Sequence, residues 1–226
     1  MQGLTGEPFF SLEIAVFRLI HSNLHVYLQP ASGTQTTGLT LINGAVDLLR
    51  DKNIDNSVKR LIDDKLSVDV PYIEQVKTIG NATRHPRGWM VAAVYYALLP
   101  EFNSLEESGW FPVSRLTGMN LAFDHLALIH SCVKRMRDKT QYTTVPLHMM
   151  PEEFTLTDLQ RCYEGLLSTS LEKKSFRRRL LDANVLVALG KERRGYARPA
   201  QLYRMKRGHI VHHFSRKMRG TAKEFA

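Results

Sequence analysis

The apolar residues of this chain change their spacing between its first and last parts. Over the first hundred residues they fall in short stretches rich in β-branched and aromatic residues, separated by Gly, Pro, Asn and Ser. Such stretches are typical of β-strands, and five stand out: SLEIAVFRL, LHVYLQ, GLTLINGAV, PYIEQVKTI and WMVAAVYYALL. The first part of the chain is therefore predicted to form a β-sheet.

Two segments within this part have helical spacing instead. Residues 54–66 place five apolar side chains on one face of a helix, namely Ile54, Val58, Leu61, Ile62 and Leu66. Residues 121–139 do the same with Leu126, Ile129, Val133 and Met136. A mixed sheet flanked by helices, of the α/β (α+β) class, accounts for residues 1 to about 140.

A second domain is expected after residues 138–153, DKTQYTTVPLHMMPEE, which are polar, punctuated by proline and without a sustained period. We place the two domains at residues 1–145 and 150–226. A helix should follow Thr155, which can act as N-cap with Asp158 in a capping-box position, while Phe154 can pack on Leu159. The next helix, SFRRRLLDANVL, is predicted to begin after a cap at Ser175.

The segment VLVALGKERRGYARPAQLYRM then predicts two strands joined by a basic turn. A helix, a basic helix and a basic hairpin, in this order, are typical of a winged helix-turn-helix domain, whose second helix lies in the major groove of DNA. On the helix, the predicted DNA contacts are Lys173, Lys174, Ser175, Arg177 and Arg178. On the wing they are Arg193, Arg194 and Arg198. Arg179 lies nearer the apolar face of the helix, which favours a structural role.

The distribution of charge supports a polyanionic partner. Residues 1–150 contain 14 basic and 14 acidic residues, whereas residues 151–226 contain 17 basic and 8 acidic residues. The whole net charge of +9 therefore lies in the last third. A solvated basic surface is the alternative interpretation.

Several features bear on the location of the protein. The chain has no apolar run near the ~20 residues that cross a bilayer, and its start has no signal-peptide pattern, so no membrane partner and a cytoplasmic location are expected. Cys132 and Cys162 are predicted to be buried thiols. The basic end of the chain, from residue 206, is expected to be a solvated or frayed tail, and its histidines do not have metal-ligand spacing.

Residues 44–68, GAVDLLRDKNIDNSVKRLIDDKLSV, resemble a Nudix box, whose pattern is G-x5-E-x7-R-E-U-x-E-E-x-G-U, with two extra residues between Gly44 and Arg60. With the box arginine on Arg60, the three metal-binding glutamates fall on Leu61, Asp64 and Lys65. One carboxylate remains, whereas a divalent cation needs several oxygen ligands. The resemblance therefore implies a domain that has lost catalysis and holds no metal or other cofactor.

The chain is also similar to the Nudix-related transcriptional regulators of bacterial NAD metabolism. The motifs that carry this similarity are, in order, GNATRHPRGW, VYYALLP, LAFDHLALI, FTLTDLQ, SFRRRL and ARPAQLYRMK. It implies a homodimeric repressor of genes of NAD synthesis or salvage, in which a Nudix-like effector and dimerisation domain precedes a DNA-binding winged helix. ADP-ribose or a related NAD-derived nucleotide is the implied effector, and it weakens operator binding.

Four residues are candidates for the nucleotide site. Arg84 and Arg87 can contact pyrophosphate because guanidinium groups bind phosphate oxygens in a bidentate manner. Trp89 can pack on a ring. Asp124, with His125, matches the FDH motif of the family, where a cap or an interdomain hydrogen bond is the alternative to ligand contact. For the two arginines, the alternative is a structural loop held by ion pairs.

Two other functions remain as alternatives. An active ADP-ribose hydrolase would need a displaced carboxylate and would release AMP in the presence of magnesium. A winged-helix module that binds RNA or protein would never contact an operator, although RNA binding usually requires aromatic residues among the basic ones.

Overall fold

The computed structural model describes residues 8–31, 37–85, 88–100, 108–194, 199–209, 211–218 and 220–222. The α-helices among them are α1 (Ile54–Leu66), α2 (His125–Thr140), α3 (Leu156–Leu167) and α4 (Lys173–Asp182). The first eight strands are β1 (Phe9–Ile20), β2 (Asn23–Tyr27), β3 (Gln29–Pro30), β4 (Leu39–Thr40), β5 (Ile42–Gly44), β6 (Tyr72–His85), β7 (Gly88–Leu98) and β8 (Trp110–Pro112). The later strands are β9 (Phe154–Thr155), β10 (Thr169–Ser170), β11 (Leu186–Arg193), β12 (Ala200–Met205) and β13 (Thr221–Ala222). Val113–Arg115 and Val145–Met149 form 3-10 helices.

The chain divides into two compact units. The first consists of residues 1–17, 25–99 and 106–133, and the second of residues 18–24, 100–105 and 134–226. Compactness does not define a folding domain, so the proposed boundary between residues 145 and 150 stays a prediction.

The predicted mixed sheet is confirmed. Its strands are ordered β6-β7-β1-β2-β8, and β5 also pairs with β1. β1 runs parallel to β7, from Phe9 opposite Met90 to Phe17 opposite Leu98, while β6 and β7 are antiparallel. The middle of β1 and most of β7 are buried, which explains why both strands read as nearly continuous apolar runs.

Helix α1 has the bounds that its apolar spacing predicts. Asn53 caps it by accepting a hydrogen bond from the amide of Asn56, and Val58, Leu61 and Ile62 are buried. Ser67 ends the helix in the left-handed conformation, with φ of 51°.

Helix α2 begins at His125 rather than at Leu121, so its predicted start was wrong. Leu121 forms a parallel bridge with Leu39, and the Ala122 amide donates to the Leu39 carbonyl at 2.8 Å. Phe123 then has a positive φ of 48°. These contacts hold the preceding residues outside the helix.

The winged helix-turn-helix arrangement of the second unit is confirmed. Thr155 caps α3, and the capping box with Asp158 is complete. β11 and β12 form the predicted hairpin, and β9 adds a third strand beside β12 that the sequence did not reveal.

Ser175 is not the cap of α4, which begins earlier than predicted. The carboxylate of Glu172 accepts hydrogen bonds from the amides of Lys174 and Ser175 at 2.8 and 2.7 Å. The helix therefore begins three residues earlier than a cap at Ser175 would allow, and Lys173 and Lys174 belong to its first turn. Phe176 and Leu180 are buried, as expected for its inner face.

Residues 211–218, here called the C-terminal segment, are docked rather than frayed, so that expectation was wrong. The Thr144 amide donates to the His212 carbonyl at 3.0 Å, and the Phe214 amide donates to the Tyr142 carbonyl at 2.7 Å. The Met218 amide donates to Gln141 at 2.6 Å. Beyond the segment, β13 pairs with β10.

Cys132 and Cys162 are buried, as predicted, and neither forms a disulfide. Burial raises the pKa of the Cys132 thiol to about 12. Within the described ranges, no helix is long and apolar enough to cross a bilayer.

Candidate functional site

The exposed surface of the N-terminal part of α4, residues 173–178, is basic. Lys173, Lys174 and Arg178 are exposed, and Ser175 is partly exposed. Glu172 is the N-cap of the helix. Hydrogen bonds from the Lys174 and Ser175 amides lower the pKa of the Glu172 carboxyl. The helix therefore presents cations, as a polyanion-binding surface requires.

Three of the arginines near this surface have protein partners. Arg177 donates to the Thr157 hydroxyl on α3 at 3.1 Å. Arg193, at the end of β11, binds the Asp158 carboxylate at 2.7 Å. Arg179 donates to the carbonyls of Arg216 and Lys217 at 3.1 and 3.0 Å, in agreement with the structural role expected for it.

These contacts separate the predicted DNA contacts into two groups. Lys173, Lys174, Arg178 and Arg194 are exposed and have no hydrogen bond to another described side chain in this structure. Arg177 and Arg193 instead tie α4 and the wing to α3. Arg198 lies outside the described residues.

Asp158 joins the wing to the cap of α3. Burial acts to raise the pKa of its carboxyl, but hydrogen bonds from the Thr155 amide and hydroxyl and from Arg193 together lower it. Arg193 thus stabilises the ionised form of Asp158 and holds the wing against the start of α3.

The segment that resembles a Nudix box has a donor set unsuited to a divalent cation. Leu61 is buried, and a Cβ added to Gly44 would lie 2.6 Å from its Cδ2 atom. The remaining carboxylate, Asp64, lies 3.5 Å from guanidinium nitrogens of both Arg50 and Arg60. A hard cation requires oxygen ligands and low local positive charge, so these residues do not fit one.

Arg60 has a second partner that the sequence did not reveal. Its Nε and Nη2 atoms each donate to Asp51 at 2.8 Å, and Nη2 also donates to the Ala45 carbonyl at 3.0 Å. The hydrogen bond with Arg60 lowers the pKa of the Asp51 carboxyl. Arg60 therefore fixes the loop between β5 and α1 to the helix.

Arg84 lies in a buried network of charges. Its Nε atom donates to both Asp124 oxygens at 3.0 and 3.2 Å, and its guanidinium contacts Glu13 Oε1 at 3.3 Å. The side chains of Arg84 and Glu13 are 3% and 4% exposed. The guanidinium predicted to bind pyrophosphate thus already has two carboxylate partners.

His125 completes this network from the first turn of α2. The Leu41 amide donates to its Nδ1 at 3.1 Å, and its Nε2 lies 3.3 Å from Glu13 Oε2. An amide can only donate, so Nδ1 is the acceptor in the contact with Leu41, and Nε2 is the ring nitrogen that faces Glu13. The sequence singled out His125 only as part of the FDH motif, and it did not indicate Glu13, because the partners of both residues are distant in sequence.

Trp89 is 51% exposed on β7. Its ring lies against Gly80 of the neighbouring strand, where an added Cβ would be 3.0 Å from Cζ3. This arrangement leaves ring surface open for stacking. Arg87 lies outside the described residues, and the assignment of Arg84, Arg87, Trp89 and Asp124 to a ligand site stays a prediction.

Comparison with known proteins identifies relatives of both units. Residues 146–205 match the NrtR DNA-binding winged helix domain. The chain is 38% identical over 204 residues to the ADPR responsive transcriptional repressor NtrR of Acinetobacter baylyi. The aligned region covers 87% of this chain and 82% of that protein.

Two solved structures from Shewanella oneidensis are similar as well. NrtR complexed with a 27mer DNA has a TM-score of 0.85 and 33% identity, covering 93% of this chain and 99% of that one. The NUDIX domain of NrtR complexed with ADP ribose has a TM-score of 0.52 and 30% identity, covering 58% of this chain and 90% of that one.

Proposed function

The chain belongs to the NrtR family of transcriptional regulators, and from this premise we propose that it is a repressor that binds operator DNA and releases it when ADP-ribose or a related NAD-derived nucleotide binds. The observation that carries the proposal is the basic surface of α4 within a winged helix that matches the family model over residues 146–205. The expected targets are genes of NAD synthesis or salvage, and the expected location is the cytoplasm.

The winged helix of the second unit, in residues 150–226, is the proposed DNA-binding domain. Lys173, Lys174 and Arg178 approach the major groove with α4, and Arg194 contacts the phosphate backbone from the wing. Arg177 and Arg193 act through their partners on α3, by holding α4 and the wing in the geometry that the groove requires.

The first 145 residues form the proposed effector and dimerisation domain. A homodimer would place its two α4 helices on two half-sites. The centres of these half-sites would lie one or more helical turns of DNA apart, at about 34 to 36 Å for each turn. The nucleotide would lower operator affinity through a change in this spacing, and by linkage the operator would lower nucleotide affinity by the same factor.

The protein is a regulator rather than an enzyme, and we attribute this to its altered Nudix box. Leu61 supplies no oxygen, Lys65 adds positive charge, and Asp64 is already paired with Arg50 and Arg60. Magnesium would have to displace two guanidinium groups to reach one carboxylate.

A mobility shift tests the proposal. The full-length protein is titrated on the duplex upstream of its own gene and on duplexes upstream of NAD-biosynthetic genes, with and without ADP-ribose. A specific shift that ADP-ribose reverses is expected. Magnesium-dependent release of AMP in a parallel assay would establish the hydrolase instead, and a preference for RNA over duplex DNA would establish the other alternative.

A further inference from the structure

The C-terminal segment has a defined position on the second unit. Its residues Phe214 and Met218 are both held by hydrogen bonds to the chain between α2 and the next 3-10 helix. Met218 is also buried, with 6% of its surface exposed. Arg216 and Lys217 lie between these two anchors, so their backbone is confined although both residues are exposed.

The segment runs beside α4. Arg179 of that helix donates hydrogen bonds to the carbonyls of both Arg216 and Lys217. The helix residues that border the segment, Glu172, Ser175, Arg179 and Asp182, recur every three or four positions and therefore form one stripe along α4.

Two surface cavities connect this stripe to the predicted base-reading side of α4. A cavity of about 540 Å³ is bordered by Ser175 together with Arg216 and Lys217. A second cavity, of about 270 Å³, is bordered by Arg178 together with Arg216. Arg216 thus borders both cavities and lies next to the residues proposed to enter the groove.

The surface formed in this way is suited to phosphate. Residues 211–218 include no acidic residue. Each cavity is bordered by one carboxylate, Glu172 in the first and Asp182 in the second, and by three Arg or Lys side chains, so cations predominate in both. Met218, which could offer apolar contact, is buried, whereas Arg216 and Lys217 are exposed. A helix in the major groove is flanked by phosphate backbone, and exposed cations beside it meet that backbone rather than base edges.

We propose that the C-terminal segment is a second DNA-contacting element, in which Arg216 and Lys217 bind phosphates flanking the bases that α4 reads. The inference rests on the proposed function of the winged helix. The C-terminal segment would add affinity for DNA of any sequence. Arg179 would be a positioning residue that holds Arg216 and Lys217 in place.

The test compares the full-length wild type with the double variant Arg216→Ala and Lys217→Ala. Affinity for the operator duplex and for a scrambled duplex is measured by fluorescence anisotropy between 50 and 200 mM salt. Each lost phosphate contact should make the slope of log affinity against log salt shallower by about 0.9, or by about 3.6 for the four substituted residues of the proposed homodimer. Between 50 and 200 mM salt, the ratio of wild-type to variant affinity should then shrink about 150-fold, while the preference for the operator stays unchanged.

A matched control removes the same two charges from the first unit, with Lys59→Ala and Arg115→Ala, both of which are exposed. Its salt slope should equal that of the wild type. The exchange of Arg216→Lys with Lys217→Arg keeps the charges and should also keep the slope. Met218→Ala, which loosens the anchor without removing charge, should reduce the slope in part.

The outcomes separate the two proposals. If the wild type binds the operator and the Arg216 and Lys217 double variant has the same slope, only the role of the C-terminal segment is refuted. If the wild type binds no duplex, the proposed function fails and the segment's role with it. A changed operator preference in a variant with a wild-type melting temperature would show base reading by the segment and would also overturn the inference.

Discussion

Replacing Arg84 by alanine should lower the free energy of unfolding of the first unit. This loss of stability does not depend on any bound ligand. The guanidinium contacts Glu13 and Asp124, and both Arg84 and Glu13 are almost completely buried. The substitution leaves the Glu13 carboxylate in the interior without its cation. His125 cannot supply the missing charge without losing its hydrogen bond from the Leu41 amide, because that bond requires an unprotonated Nδ1.

The size of the effect follows from the burial of each partner. Breaking a buried ion pair by removing one partner costs about 3–5 kcal/mol. The contact with Asp124, whose side chain is 37% exposed, should add no more than about 1 kcal/mol. We therefore expect Arg84→Ala to lower the free energy of unfolding of the first unit by roughly 3–5 kcal/mol.

Tryptophan fluorescence during urea unfolding measures this quantity. Trp89 and Trp110 are the two tryptophans of the chain, and both belong to the first unit. Arg50→Ala is the matched control because its pair with Asp64 is exposed on both sides, so its removal should cost about 0–1 kcal/mol. In the double variant Glu13→Gln and Arg84→Met, the cost should be less than the sum of the two single variants, because the only carboxylate left unpaired is that of Asp124, which is partly exposed.

A different result would identify Arg84 as a ligand contact. In that case Arg84→Ala would unfold at the wild-type urea concentration, and calorimetric titration with ADP-ribose would show the loss of binding. The structural assignment of Arg84 would then be refuted, and the predicted pyrophosphate contact would be supported.

The remaining predictions concern DNA binding by Arg178 and Arg194, the pH dependence of stability at His148, and packing at Gly44. Arg178→Ala should lower operator affinity by ~1–3 kcal/mol and relax base discrimination in anisotropy titrations, whereas Arg194→Ala should weaken binding to all duplexes and flatten the salt dependence. Burial, with the neighbouring His209, lowers the pKa of His148 to about 4, so the unfolded chain binds this proton more readily. Stability should therefore fall as pH decreases from 6.5 towards 4, and His148→Gln should flatten that fall in thermal melts at pH 7 and 4.5. Gly44→Ala should cost ~1–3 kcal/mol through crowding with Leu61, and Leu61→Ala in the same chain should recover part of it, as measured by urea unfolding.

Local signals in the sequence account for much of the fold. The bounds of α1 could be predicted because Asn53 is a strong cap and the apolar residues keep helical spacing up to Leu66. The capping box at Thr155 and Asp158 was equally clear. In both cases the residues that decide the structure lie in the helix itself or next to it in sequence.

Long-range partners explain what could not be predicted. The start of α2 depends on a bridge between Leu121 and Leu39, and the docking of the C-terminal segment depends on backbone hydrogen bonds to residues 141–144. Arg84 and Glu13 are 71 positions apart, so the sequence shows an arginine in a motif but not the buried carboxylate that pairs with it. Ser175 has the residue type of a helix cap. The Glu172 carboxylate caps the helix instead, because it accepts hydrogen bonds from two backbone amides.

The altered box and the basic winged helix serve one requirement. A sensor must release its nucleotide unchanged, since hydrolysis would destroy the signal that it reports. Leu61 removes a metal ligand, and the pairing of Asp64 with Arg50 and Arg60 offsets the charge of the carboxylate that remains. Two guanidinium groups beside one carboxylate leave this cluster of three side chains with a net positive charge, which repels a divalent cation. Under the proposed function, nucleotide binding needs no metal ion at these residues, and its free energy would be available to weaken the hold of α4 on DNA.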